Sequence, residues 1–349
     1  MGNNFWFHSL GAVVRNSLRM EDAHFRSDLP RDEAVRLFGE QVELIEFETT
    51  SYCNRTCSFC PNSIIDRLSE KLIMPEATWQ AILDGLREVE YSSTIVWSRY
   101  SEPLSERRIL ERVRQVREAA PRARICINSN GDYLDADYLR ELEESGLDRL
   151  WVDIYFPDDE VYDLDKATLY HAKFLKRTNR TGTMVATAPE LSYKIASDRL
   201  EIVTHVRNVA AMKAMDLSDR GGLVQIARQT VREAPCYAPY KHLVIDWDGS
   251  IVICCQLRSD SASHQDGVVG KIGTDGITLM DAYLRLAGWR NSLREYGKKD
   301  KPCATCNVSE YSSTHLTRLL SSLLSDTRSP MRAVVKTAMR PLLRRRLRF

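Results

Sequence analysis

Three cysteines confined to one short loop constrain this chain more than anything else in it. Cys53-x3-Cys57-x2-Cys60 follows directly on Val42 to Glu48, an apolar-rich run that reads as a β-strand. Three thiolates so close together can hold three irons of a four-iron cube and leave the fourth iron without a protein ligand. A structural zinc site asks for four ligands, and the sequence has no fourth Cys or His nearby. The remaining cysteines are Cys126, Cys236, Cys254, Cys255, Cys303 and Cys306. In an intracellular chain, cysteine clusters are metal ligands more often than disulfides, and the Cys-poor middle predicts two metal sites on two domains.

The strand before the loop opens a series. Met74 to Val89 reads as a helix, with Pro75 suited to its first turn and Ile82, Leu83, Leu86 and Val89 at helical spacing. Strands follow at Thr94–Trp97, Ala123–Asn128 and Leu150–Phe156, with helices at Glu106–Ala119 and Asp135–Ser145, the latter closed by Gly146. Met184–Thr187 and Glu201–Val206 are expected as fifth and sixth strands. Such alternation predicts a parallel sheet, as an open barrel or a doubly wound layer, with its chemistry at the strands' C-terminal ends. After about residue 225 the pattern changes: His242–Ile245 and Ser250–Cys254 flank Asp248-Gly249, a hairpin signal. The predicted organisation is an N-terminal extension (1–40), a barrel domain (41–225), a small cysteine-organised domain (226–312) and amphipathic basic helices (313–349).

Composition narrows the function classes. Hydrophobic residues make up 43% and charged residues 28%, ordinary values for a globular protein. A net charge of +1 gives no overall field for nucleic acid. No apolar stretch is long enough for a membrane span, and the N-terminus has neither a compact secretory core nor a myristoylation pattern. The chain reads as cytoplasmic.

The first cysteine loop resembles that of the radical SAM superfamily, in which the open iron of a [4Fe–4S] cluster binds S-adenosylmethionine. Other elements match in order. Phe59 stands at the aromatic position before the third cysteine, where the family contacts adenine. Ser101-Glu102-Pro103 resembles the Gly-Gly-Glu-Pro segment with its glycines lost, and it implies Glu102 as partner of the methionine ammonium. Ser129-Asn130-Gly131 is similar to the family's Thr-Asn-Gly element, and Asp153 falls where relatives carry a polar ribose contact. The resemblance implies a partial (β/α)6 parallel barrel.

The second set, Cys236, Cys254, Cys303 and Cys306, offers the four ligands of a closed site; four cysteines also make a structural zinc site. The spacing resembles the SPASM and twitch auxiliary-cluster domains of the same superfamily. The further cysteines of a full SPASM domain are absent from Asn307 to His315, which implies the twitch form with one auxiliary [4Fe–4S] cluster. That arrangement occurs in a cyclitol dehydrogenase of aminoglycoside biosynthesis. Strand alternation predicts that only one of Cys254 and Cys255 faces the site, and the resemblance favours Cys254. Cys126 reads as buried core.

The resemblance implies reductive cleavage of S-adenosylmethionine to a 5′-deoxyadenosyl radical, hydrogen abstraction from substrate, and oxidation assisted by the auxiliary cluster. It also implies a reducing partner such as flavodoxin or ferredoxin. About 40 residues before the first strand are too few for a peptide-recognition domain, pointing to a sugar, cyclitol, nucleoside or nucleotide-sugar. Carbon–carbon coupling, epimerisation, and a peptide maturase with a separate recognition protein stay open. A structural zinc protein is the non-enzyme alternative. Asp153, Tyr155, His205 and Arg220 are pocket candidates, and no catalytic base stands out. The tail from Arg340 to Phe349 suits contact with anionic lipid or a phosphorylated substrate, or a solvated helix end.

Overall fold

The computed structural model describes residues 11, 14–157, 160–187, 190–208, 217–228, 230–274, 276–308, 315–325 and 329–343. The arginine-rich segment 344–349 lies outside the described residues.

The chain alternates α1 (Arg31–Gln41), β1 (Leu44–Phe47), α2 (Glu76–Glu88), β2 (Thr94–Trp97), α3 (Ile109–Ala119), β3 (Arg124–Ser129), α4 (Ala136–Glu144) and β4 (Arg149–Tyr155). Then come α5 (Leu164–Thr178), β5 (Gly182–Ala186), β6 (Leu191–Ile195) and β7 (Glu201–Arg207). The C-terminal part adds α6 (Ala238–Lys241), β8 (His242–Ile245), β9 (Ser250–Val252), β10 (Val268–Lys271), α7 (Leu279–Arg285), α8 (Ala287–Leu293), α9 (His315–Ser325) and α10 (Pro330–Leu343). Local chemistry sets several of these ends. Asp135 caps α4 by accepting from the Tyr138 amide at 2.8 Å, and Gly146 after it takes φ +93.

The ten strands among the described residues join one sheet, in the order β10-β9-β8-β1-β2-β3-β4-β7-β6-β5. From β8 to β7 every neighbouring pair is parallel, giving a six-stranded parallel core. The pairs at both edges are antiparallel. The strand expected at Met184–Thr187 exists at Gly182–Ala186, but outside the parallel series. Residues 187–190 are too few for a parallel crossover, so the chain doubles back through β6. The sixth parallel strand is β8, supplied by the C-terminal part and seated beside β1. That part therefore continues the barrel sheet.

Strand alternation divides the sheet by polarity. Ile45, Phe47, Ile95, Trp97, Ile125, Ile127, Leu150, Val152 and Ile202 share one face, are fully buried, and belong to the main core with the helices. Trp79 of α2 packs edge-on against Phe47 at 5.6 Å. Close packing continues to the C-terminal part: a Cβ on Gly85 of α2 would stand 2.4 Å from the Leu279 side chain of α7. The opposite face carries Glu46, Ser98, Asn128, Asp153, Tyr155 and Arg207. A sheet of this pattern has its polar side free for a site.

Candidate active site

A cavity of about 280 Å³ opens on that polar face, where the parallel strands end. Every residue picked out in sequence for the first centre lines it: Cys53, Cys57, Cys60, Phe59, Glu102, Ser129, Asn130 and Asp153. Tyr155 and Arg220 line it as well, and His205 does not.

Glu102 joins the ends of β2 and β3. Its carboxylate accepts from the Ser129 hydroxyl at 2.7 Å, the Asn130 amide at 2.8 Å and the Leu104 amide at 3.0 Å. Burial pushes its pKa up to about 7, against the pull of those hydrogen bonds. Asn130 donates to Asn54 at 2.8 Å, and Arg55 holds Asp132 through two 2.7 Å bonds, so the cysteine loop is clamped to the β3 loop. Phe59 is buried, with its ring 5.1 Å from Tyr155, among Leu217, Val224 and Ala227.

Sequence reading missed Glu48. It is fully buried, and one oxygen accepts from the Tyr100 and Ser101 amides at 2.7 and 2.6 Å. The other meets Arg67 at 3.1 Å. An anionic anchor thus shapes the turn that lacks the family's glycines. Arg67 reaches Asp260, which Arg258 also grips through two 2.7 Å bonds, and Arg258 donates to Asn62 at 2.8 Å. This buried network ties the first cysteine loop to the C-terminal part. Its visible signal was the alternation Glu46-x-Glu48 in an otherwise apolar strand. Burial raises Glu46 to about 8.

On the far wall, Asp153 faces Arg207 at 3.4 Å, and burial raises its pKa. Arg207 is held in turn by Glu190 at 2.6 Å, which also meets His205 at 2.9 Å. His205 is thus part of the support behind Asp153. Arg220, at φ +50, lies 5.8 Å over the Tyr100 ring, and its Nε has no hydrogen-bond partner among the described residues.

The second cysteine set also comes together. The Cys303 thiol feels Cys236 and Cys306, the Cys306 thiol feels Cys236, and Cys254 feels Cys236 and Cys306. Arg232 stitches this site: it donates to the Cys306 sulfur at 3.4 Å, to the Ala234 and Pro235 carbonyls at 3.1 and 2.7 Å, and to the Val308 carbonyl. Of the adjacent pair, Cys254 lies with Cys236 and Cys306, while Cys255 lies toward His242, Arg220 and Arg99. Strand β9 stops at Val252, both cysteines lie in the following turn, and their thiols hydrogen-bond to each other. That bond splits them, Cys254 upward and Cys255 downward; His242, Arg220 and Arg99 add to the fall of Cys255. Cys126 is buried, as expected.

Burial pushes the thiols of Cys53 and Cys303 up to about 12 and raises Cys60 and Cys306 too. As thiolates these groups need a cation beside them, which cluster iron would supply. Among the described residues no three metal-ligating side chains converge as on a single ion. Thiolates round a four-iron cube stand at separate corners and need no such convergence. The two cysteine sets could therefore each hold a cube.

Comparison with known proteins agrees with this geometry. Residues 47–188 match the radical SAM superfamily model, and residues 236–307 match the SPASM model, an iron–sulfur cluster-binding domain. The chain carries a radical SAM domain followed by a SPASM domain. Its radical SAM match covers both the cysteine loop and the Glu102 and Asn130 turns, and its SPASM match covers the whole second cysteine set. The S-adenosyl-L-methionine-dependent 2-deoxy-scyllo-inosamine dehydrogenase of Niallia circulans is 27% identical over 267 residues, covering 76% of this chain and 92% of that enzyme. The crystal structure of BtrN in complex with AdoMet and 2-DOIA aligns with a TM-score of 0.55 at 23% identity, over 77% of this chain and 94% of that one. This likeness speaks for the fold. The protein is thus a radical SAM oxidoreductase dependent on iron–sulfur clusters and S-adenosylmethionine.

Proposed function

We propose that this radical SAM enzyme oxidises a hydroxyl-bearing carbon of a sugar- or cyclitol-like small molecule in a biosynthetic pathway. One observation carries the reading: both cysteine sets are present, inside the radical SAM and SPASM matches, and a small-molecule dehydrogenase is matched over 92% of its length. Cys53, Cys57 and Cys60 hold the cluster that binds S-adenosylmethionine, and Cys236, Cys254, Cys303 and Cys306 hold the auxiliary [4Fe–4S] cluster. When bound, these groups supply a 5′-deoxyadenosyl radical for hydrogen abstraction and an acceptor for the substrate's electron.

The chain's own residues bind, orient and screen. Glu102, with one oxygen accepting a single bond, has a lone pair to offer the methionine ammonium. Ser129 and Asn130 keep that carboxylate in place, Asp153 faces the ribose, and Phe59 walls the adenine side. The buried arginine–carboxylate network closes the base of the cavity against water. A flavodoxin- or ferredoxin-type protein delivers the reducing electron. The domain division at about residue 225 separates the two cluster sites in sequence, while the shared sheet keeps them in one body.

The test incubates reduced, iron-loaded enzyme with S-adenosylmethionine and a panel of polyols, aminocyclitols and nucleotide-sugars. Formation of 5′-deoxyadenosine together with a product lacking two hydrogens supports oxidation. Deoxyadenosine with no change in product mass moves the assignment to epimerisation, and a summed mass moves it to coupling.

A further inference from the structure

A second cavity, of about 430 Å³, opens beside the second cysteine set, lined from β10, α7, α8 and the segment that leads into Cys303. It shares no lining residue with the cavity at the strand ends. Its wall bonds directly to two of the four cysteines of that set. The carbonyl of Leu293 accepts from the Cys236 amide at 2.8 Å, and the carbonyl of Asp300 accepts from the Cys303 amide at 2.9 Å. Lys299 of the same wall feels the charge of both cysteines. Trp289, half-buried, gives the cavity an aromatic side.

The rim is cationic. Residues 285–301 hold six Lys and Arg against Glu295 and Asp300. Arg290 is buried on the His24 and Tyr283 carbonyls, and Arg294 meets Glu295 at 3.5 Å. That leaves Arg285, Lys298, Lys299 and Lys301 against Asp300. Lys298 and Lys301 are exposed, and their ammonium groups hold no hydrogen bond or ion pair among the described residues. Arg285 and Lys299 donate to the Val269 and Glu295 carbonyls. Cations around an aromatic side chain attract and orient an acidic protein surface.

The proposed oxidation supplies the reason for a partner at this place. The substrate carbon loses one hydrogen atom to the 5′-deoxyadenosyl radical, then its hydroxyl proton to water and one electron to the second cysteine set's cluster. That electron has to leave before the next turnover, and the backbone hydrogen bonds of Leu293 and Asp300 give it a path through this wall. We infer that the cavity and its cationic rim are the docking surface for an acidic one-electron carrier of the flavodoxin class. The carrier's oxidised flavin takes up the electron and a proton and becomes the semiquinone, which returns the auxiliary site to its starting state. The inference rests on the oxidation reading.

The experiment mixes reduced, desalted, iron-loaded enzyme with oxidised flavodoxin by stopped flow. No substrate is present, so the result is independent of the search for oxidised product. Wild type should form semiquinone at a second-order rate that falls steeply with salt. Lys298→Glu, Lys301→Glu should slow it at least about tenfold at low salt, and the difference should disappear at high salt. The variant Cys53→Ala, Cys57→Ala, Cys60→Ala, left with the auxiliary cluster alone, should keep the salt-sensitive phase. Oxidation of both variants by a small neutral quinone shows that this cluster is present and the protein folded. An undiminished rate in the lysine variant overturns the inference. So does loss of the phase where only the auxiliary cluster remains, since the carrier would then meet the first cysteine loop.

Discussion

The two cysteine sets differ in how the chain surrounds them. Cys53, Cys57 and Cys60 come from one loop and border a cavity, whereas Cys236, Cys254, Cys303 and Cys306 come from three segments, two of which Arg232 stitches together. A loop supplying three thiolates leaves space for an exogenous ligand. Four thiolates gathered from distant segments close on their cluster and cross-link the fold. The first arrangement suits chemistry on a bound molecule, and the second suits electron transfer and structure.

The largest test of this contrast is Cys53→Ala, Cys57→Ala, Cys60→Ala. It should abolish cleavage of S-adenosylmethionine and remove roughly half the iron, because the second set stays intact. Retained cleavage would break the assignment of the open site. Next is Cys303→Ala, Cys306→Ala: the first cluster should assemble and cleavage persist, while oxidised product largely disappears. Circular dichroism must first show that the fold survives, since losing a metal centre can unfold its surroundings.

Glu48→Gln probes the buried anchor between the two regions. It leaves Arg67 with Asp260 as its one carboxylate partner among the described residues and weakens the hold on the Tyr100 and Ser101 amides, so denaturant titration should show a loss on the order of 3 kcal/mol.

Glu102→Ala should reduce affinity for S-adenosylmethionine by on the order of 1.5–3 kcal/mol, read by calorimetry, with iron content unchanged. The pH dependence has a definite sign. Folding raises Glu102 from its ordinary 4.5 to about 7. The folded protein therefore holds a proton that the unfolded chain releases, and this contribution to stability is lost as pH rises from 4.5 to 7. Ammonium binding needs the carboxylate, so affinity should climb through the upper part of the same range. Glu102→Gln should flatten that limb.

Asn307→Ala should have the smallest effect. Asn307 donates to the Leu217 carbonyl at 2.7 Å and accepts from the Asp219 amide at 3.1 Å, linking the second cysteine loop to the segment bearing Arg220. Losing these bonds should raise substrate KM several-fold, on the order of 1 kcal/mol, with iron content and cleavage unchanged. An unaltered KM would separate the second centre from the pocket.

Residue spacing made the first centre legible because its ligands are local. One loop after one strand carries all three thiols, and the Glu102 and Asn130 turns follow strands whose apolar runs were plain. Length and polarity hid other parts. Helix α5 presents a mostly polar surface, β6 interrupts its apolar residues with Ser192 and Lys194, and residues 254–255 lie past a strand end that the apolar pattern overran.

What the sequence determined by itself was the chemistry available: seven thiols in two sets, a βα series, and acids at strand ends. Tertiary structure decided which side chains share a space. Register between β1, β2, β3 and β4 put Glu46, Ser98, Asn128 and Asp153 on one face, and the pairing of β8 with β1 brought the second cysteine set into the same body. Long-range pairing also set Glu48 against Arg67 and Arg67 against Asp260, across separations that no local pattern encodes. Thiol spacing is written along one short stretch of backbone. The partners of a buried charge are chosen by whichever distant segments the packed sheet and helices bring within reach, because burial leaves an ionised side chain stable only beside an opposite charge.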